Sequence, residues 1–358
     1  MNHFKKIASV LETHSLDAVL LTCEANRFYA SGFHSSGTDG VAIVTRNHNY
    51  YFTDSRYTEA AARHVRDAEI RETGREHPYS ALINEVIEKE HITRMGYEDE
   101  YMTAADFRRF SEKLHCELVP ATELLWTLRA VKDQAELECM IQAQRIAEKA
   151  LADILGEIRP GVTEKEIAAL LLYKMLHYGA EDKSFDPIVV SGSNGSLPHG
   201  VPSEKPIQAG EFVTMDFGCK FGGYCSDMTR TFYFKEVSEI HRHIYDTVRS
   251  ANETAISKIK PGVLLCELDK TARDLIDAEG YGPNFNHRLG HFIGLSEHEY
   301  GDVSSTNQNR AVPGMIFSIE PGIYLTGDTG VRVEDLVLVT EDGCEVLNHY
   351  SKELEIIG

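Results

Sequence analysis

At 358 residues the chain is long enough for two domains, and its 42% hydrophobic and 26% charged residues are those of an ordinary globular protein. A formal net charge of −20 argues against a nucleic-acid partner, whose phosphates call for a basic face. No apolar run approaches the roughly 18–20 residues that span a bilayer, so no membrane association is expected. The opening MNHFKKIASVLETHSLDAVLL is too mixed in charge for a secretory signal. Seven cysteines, odd in number and without a CxxC, read as reduced thiols in a cytoplasmic protein.

Along the chain, β-branched or aromatic runs predict strands at Asp17–Thr22, Gly40–Thr45 and Asn49–Asp54, with further strands at Glu69–Glu72 and Arg94–Tyr97. Helical spacing of apolar residues predicts helices over Ser55–Val65, Tyr79–Glu90 and Thr103–Leu114. Residues 1–128 therefore read as an α/β domain. They hold no Gly-rich phosphate loop and no dense carboxylate or histidine cluster, which moves the chemistry to residues 129–358. There a long helix over Asp133–Ile158 is expected to stop at Arg159-Pro160-Gly161. Thr163 and Glu166 form a capping box that opens a helix over Glu164–Tyr178, closed by Gly179.

The second part of the chain contains an internal repeat. Arg159-Pro160-Gly161-Val162 recurs as Lys260-Pro261-Gly262-Val263, an offset of 101 at which Glu166 also falls on Glu267 and Gly179 on Gly280. The run Gly210–Gly218 (GEFVTMDFG) matches Gly314–Gly322 (GMIFSIEPG) at offset 104. Two copies of so long a period imply a duplicated half-domain rather than a solenoid, with two related halves packing into one α+β domain around a shared site.

The repeat superposes Asp216 on Glu320, and in each half a second carboxylate follows a turn: Asp227 after Gly222-Gly223, and Glu334 after Gly327 and Gly330. Each half reads as a β-hairpin. Strand alternation turns Phe212, Thr214 and Asp216 to one face, and Ile316, Ser318 and Glu320 to the corresponding one. Four acids brought together repel one another and are costly to bury, so divalent metal is the natural counter-charge. His287, His291 and His298 lie in one glycine-rich apolar stretch, HRLGHFIGLSEHE. A single histidine is usually a core or surface residue; three so spaced point to ligation or catalysis. His199, in LPHG, is a fourth candidate.

The runs PHG, MDFG, YCSDMTRT, GHFIGLSEHE, SIEPGIY and GVRVED, in this order, resemble the pita-bread metallopeptidases. More narrowly they resemble the Xaa-Pro dipeptidases (prolidases) and Xaa-Pro aminopeptidases. FTDSRYTEAA at 52–61 and LRAVKDQAELECM at 128–140 extend the likeness over the whole chain. The resemblance implies a creatinase-like N-terminal α/β domain, then an α+β pita-bread domain with a pseudo-two-fold repeat. It implies two divalent ions: Asp216 on one, His291 and Glu320 on the other, and Asp227 and Glu334 bridging, with hydroxide between the ions as nucleophile. Glu320 would then act as general base and acid, and His199 and His298 would polarise the scissile carbonyl. His287 and Arg332 match positions that line the substrate site. The oxygen-rich donor set suits manganese; cobalt, zinc and iron are also compatible.

The expected substrate is a peptide with proline at position two, cut by an aminopeptidase or, as the alternative, by a dipeptide-restricted prolidase. The resemblance also implies a homodimer. Phe292 stands where many relatives carry glycine, which bears on pocket shape. Two further readings are metal-retaining enzymes of this fold acting on small non-peptide compounds, and a non-catalytic binding module. Retention of all five ligand types counts against the second.

Overall fold

The computed structural model describes residues 2–358, which divide into two compact units, the first ending at Arg129 and the second Ala130–Gly358. The first unit is built on a six-stranded sheet: β1 (Ala18–Leu21), β2 (Gly40–Thr45), β3 (Asn49–Thr53), β4 (Glu69–Glu72), β5 (Arg94–Tyr97) and β6 (Glu117–Pro120). Their order is β4-β3-β2-β1-β5-β6, with only β2 antiparallel to its neighbours. The predicted strands are present. The three predicted helices are present with trimmed ends, Thr58–His64, Tyr79–Lys89 and Ala104–Lys113. Strand β6 and the helices Phe4–Ala8, Glu24–Ser31 and Thr122–Ala130 were not anticipated. The one fully buried acid here, Glu98, needs no cation: its carboxylate accepts from Thr22 N and Oγ1, Cys23 N and Asn26 Nδ2 at 2.5–2.8 Å.

The second unit carries the duplication in three dimensions. In the first half, helices Gln134–Ile154 and Glu164–His177 pack on a sheet of β8 (Ile188–Ser191), β9 (Phe212–Phe217), β12 (Met228–Phe234) and β20 (Ile356–Ile357). Beside it lies a small sheet of β7 (Asp182–Lys183), β10 (Cys219–Phe221) and β11 (Tyr224–Cys225). In the second half, helices Glu239–Ile256 and Leu265–Ala278 pack on β13 (Gly290–Phe292), β14 (Glu299–Val303), β15 (Ile316–Ile319), β18 (Asp335–Val339) and β19 (Cys344–Val346). Here β16 (Gly322–Leu325) and β17 (Thr329–Arg332) form the inserted hairpin. Each half thus has a long hairpin, β9/β12 or β15/β18, with a short hairpin inside it.

Local chemistry explains the helix ends. Asp133 and Glu136 close a capping box at the start of Gln134–Ile154, and Thr163 and Glu166 do so for the next helix. The long helix stops at Ile154 and a 3₁₀ turn carries the chain to Glu157, four residues short of Gly161. Ile167, Leu171 and Met175, at fourfold spacing, are fully buried, and each contributes roughly 1.5–3 kcal/mol. Leu264, at the start of the second copy's helix, has no side-chain cap. The N–H groups of Leu265 and Cys266 instead donate to the carbonyls of Asn309 and Asn307, as those of Glu164 and Lys165 do to Lys205 and Ser203. Gly210 and Gly314, at φ 86° and 88°, make the same left-handed turn into β9 and β15.

Two of the contacts between the halves show how they are locked together. Arg230, 1% exposed, donates from β12 to the Asp335 carboxylate at 2.7 Å and to the Glu334 carbonyl at 2.5 Å. The second contact is backbone on backbone and corrects an expectation. Gly330 is not a turn residue; only Gly327, at φ 73°, takes the turn conformation. Gly330 lies in β17, where a Cβ would stand 1.9 Å from the carbonyl oxygen of Gly195. Glycine permits this approach between β17 and the short turn Gly192–Ser196 that leads to His199.

Candidate metal centre

The two hairpins bring their carboxylates to the seam between the halves. Asp216 lies in β9, and Asp227 immediately precedes β12. In the second half the pattern shifts by one residue: β15 ends at Ile319, so Glu320 stands in the irregular link before Pro321, and Glu334 immediately precedes β18. Pro321 has no N–H for the ladder, which is why the strand stops there. Thr214, on the same face as Asp216, donates to the carbonyl of Gly330 in the other half at 3.3 Å.

Asp227, His291 and Glu334 are buried, and each offers a ligand atom within 4.8 Å of the other two. His291 Nε2 lies 3.4 Å from Glu320 Oε1 and 3.5 Å from Asp227 Oδ2. Its other ring nitrogen, Nδ1, lies 3.2 Å from the Phe292 carbonyl. A proton on Nδ1 satisfies that carbonyl and leaves the Nε2 lone pair facing two carboxylates. Burial, then the nearby His298, pulls the His291 pKa down to about 3, so the ring is neutral near pH 7.

The carboxylates show the opposite perturbation. Burial first, then Glu334, Asp216 and Glu320, drives Asp227 well above the usual carboxylate range. Burial with Glu320 and Asp216 does the same to Glu334. Glu320 is pushed up to about 7, mainly by burial, with Arg332 opposing. Asp216 Oδ1, Asp227 Oδ1 and Glu334 Oε1 are buried without a hydrogen-bond partner. Orphaned carboxylate oxygens opposite an imidazole lone pair are acceptors waiting for a cation. The residues present therefore fit a site for divalent metal.

Residues around this set fix its geometry. Thr229 donates to Glu334 Oε2 at 2.6 Å. Ser318 donates to Glu320 Oε1 at 3.0 Å and accepts from the His291 N–H at 2.9 Å. Arg332 is buried and spreads its guanidinium over four acceptors: Asp216 Oδ2 at 2.6 Å, Tyr324 OH at 2.8 Å, and Thr229 Oγ1 and the Pro198 carbonyl at 3.1 Å. Thr229 was missed in the sequence, although strand alternation sets it two residues beyond Asp227. Tyr324 carried no such signal, because only the β16/β17 hairpin turns it back onto Arg332.

The four candidate histidines differ in setting. His298 is exposed, with its ring edge-on to His291 at a centroid distance of 4.1 Å and 75°. Burial, with Arg288 and His199 adding, lowers its pKa. His287 Nε2 is 3.1 Å from Tyr324 OH, and burial beside Arg332 lowers its pKa to about 4. His199 is exposed, on the loop whose Pro198 carbonyl is held by Arg332.

Residues 138–341 match metallopeptidase family M24, and residues 4–131 match the creatinase/prolidase N-terminal domain. The chain is 37% identical to the peptidase YqhT of Bacillus subtilis over 99% of each chain. A solved Xaa-Pro dipeptidase from Bacillus anthracis has 37% identity and a TM-score of 0.94, covering 99% of each chain. An X-Pro aminopeptidase from Thermotoga maritima has 34% identity and a TM-score of 0.92, covering 98% of this chain and 100% of that one. With this buried acid-rich site, duplicated fold and whole-length likeness, the chain belongs to metallopeptidase family M24, with the creatinase/prolidase N-terminal domain and a pita-bread catalytic domain, and is a metallopeptidase.

Proposed function

We propose that the chain hydrolyses the peptide bond preceding a proline at position two, with Asp216, Asp227, His291, Glu320 and Glu334 holding two divalent ions. The observation that carries this reading is the buried set of unpartnered carboxylate oxygens facing the His291 lone pair. The orphaned oxygens of Asp216, Asp227 and Glu334, the Glu320 carboxylate and the His291 lone pair would supply the donors that hold the ions. The ions, when bound, supply Lewis acidity that makes water nucleophilic at neutral pH and polarises the scissile carbonyl.

The protein's own groups do the rest. Glu320 takes the proton from the attacking water and delivers it to the proline nitrogen, a secondary amine that leaves only once protonated. His298 and His199 donate to the carbonyl oxygen as negative charge builds on it. His287, Tyr324 and Arg332 form the polar wall against which the substrate is oriented. Proline offers no N–H and holds φ fixed, so a shaped pocket must replace the usual backbone contact. Phe292 is buried behind His291, packed against Phe317, and bears on that pocket through the position of its neighbour.

The likeness to the T. maritima enzyme supports an aminopeptidase acting on longer peptides, and the likeness to the B. anthracis enzyme supports restriction to dipeptides at least as well. Steady-state hydrolysis of Xaa-Pro dipeptides, Xaa-Pro-Yaa tripeptides and Xaa-Ala controls by metal-reloaded enzyme decides. Preference for the Xaa-Ala controls would overturn the proline reading. Manganese is the proposed ion, because the donors are four carboxylates and one imidazole. Seven free thiols fit a cytoplasmic protein. A homodimer is proposed from the family likeness; a monomer of undiminished activity by light scattering would refute it.

A further inference from the structure

The loop that carries His298 is held by a buried ion pair that the chemistry above does not use. Lys132 Nζ lies 3.4 Å from Glu299 Oε2, with the two side chains 1% and 6% exposed. Glu299 is the residue after His298, and its carboxylate folds back over the loop. Oε1 accepts the Leu295 N–H at 2.9 Å, and both oxygens lie against Gly294, where a Cβ would stand 2.8 Å from each. The bracketed segment runs from Gly294 to Glu299. Its first carbonyl accepts the Cys225 N–H at 2.7 Å, two residues before Asp227, and the Gly294 N–H donates to the Ser296 carbonyl at 3.1 Å.

At the other end Lys132 is not free to wander. Its N–H donates to the Gly314 carbonyl at 2.9 Å, Val131 bridges Met315, and a Cβ on Gly314 would stand 3.3 Å from the Lys132 carbonyl oxygen. The Lys132 backbone is therefore fixed to the strand that leads to Glu320, and its ammonium group reaches over to the loop that presents His298. Apolar residues of similar volume are often as stabilising as a buried ion pair, so retaining one points to conformational specificity. A single link here ties the proton shuttle's strand to the polarising histidine's loop.

We propose that Lys132 is a positioning residue for His298, acting through the buried carboxylate of Glu299. The proposal rests on the reading of His298 as a group that acts on the developing oxyanion. Lys132 touches neither the candidate metal ligands nor the substrate wall; its effect is on where the His298 ring stands relative to His291.

The test compares Lys132→Met, Lys132→Arg, His298→Ala and the double variant Lys132→Met/His298→Ala in the full-length metal-loaded enzyme. Lys132→Met should lower kcat about 10–100-fold, the usual effect of removing an outer-shell partner, while KM and metal per chain stay near wild type. Lys132→Arg should recover much of the loss. The double variant should be no slower than His298→Ala, because a positioning group has nothing left to position. Losses that multiply in the double variant would overturn the proposal while leaving the His298 reading intact. Full kcat in His298→Ala would overturn that reading and the proposal with it. If Lys132→Met does not fold, Glu299→Gln, which keeps the Leu295 contact and removes the charge, takes its place in the same cycle.

Discussion

Arg332 Nη2 lies 2.6 Å from Asp216 Oδ2 across the seam between the two halves, both side chains at most 14% exposed. The same guanidinium holds Tyr324, Thr229 and the carbonyl before His199, so one planar fork links a candidate metal ligand, the proposed substrate wall and the His199 loop. Lysine can keep the charge on Asp216 but cannot reach four acceptors at fixed angles. Arg332→Lys should therefore retain metal and lose about 10–100-fold in kcat/KM. Elemental analysis with steady-state kinetics checks both; unchanged kinetics would reduce Arg332 to a counter-ion.

Metal removal should abolish turnover, and Mn²⁺ or Co²⁺ should restore it. The reason is the set of three buried carboxylate oxygens without a hydrogen-bond partner. Stability should follow, since an ion present at a hundred times its Kd and bound only by the folded chain adds about 2.7 kcal/mol. Scanning calorimetry of stripped and reloaded protein reads this as a rise in Tm. Full activity in protein shown to be metal-free would sink the assignment.

His298 and Glu334 should separate catalysis from metal binding. His298 touches His291 only edge-on, whereas Glu334 has one oxygen on Thr229 and the other unpartnered. His298→Ala should keep metal and lose on the order of 10²–10³ in kcat, the usual effect of removing one oxyanion donor. Glu334→Ala should lose metal. If both variants lost metal alike, the division of roles would be wrong.

Gly330→Ala tests the backbone contact that joins the halves. The new methyl would meet the Gly195 carbonyl at 1.9 Å, too close for anything but a shift of β17 or of the turn before His199. Overpacking of this kind costs about 1–3 kcal/mol, measurable by urea unfolding. Activity should fall further than stability alone explains, because Arg332 and the Pro198 carbonyl flank the displaced segment. A variant as stable and active as wild type would show that the approach is soft.

The four candidate carboxylates stood out in the sequence because duplication wrote them twice. Asp216 and Glu320 occupy matched places in apolar runs, and each is followed by a second acid beyond a glycine turn. Strand alternation then places Thr214 with Asp216 and Ser318 with Glu320; Ser318 donates to Glu320, and Thr214 donates to the Gly330 carbonyl of the other half. The capping box at Thr163 was equally local, since its bonds span three residues.

Other features depended on residues far apart in the chain. Gly330 looked like a turn glycine, and only the arrival of Gly195, 135 positions earlier, gives it its role. The helix pair Gln134–Ile154 and Glu239–Ile256 belongs to the duplication but left no matching motif, because burying a helix face asks for apolar spacing rather than for particular residues. Tyr324, Arg332 and the Lys132–Glu299 pair likewise meet partners 8 to 167 positions away. Sequence determined which residues could bind metal, since ligand chemistry is a property of side-chain type at short spacing. Tertiary structure decided which residues hold them in place, since a buried polar group takes whatever partner the fold brings within about 3 Å.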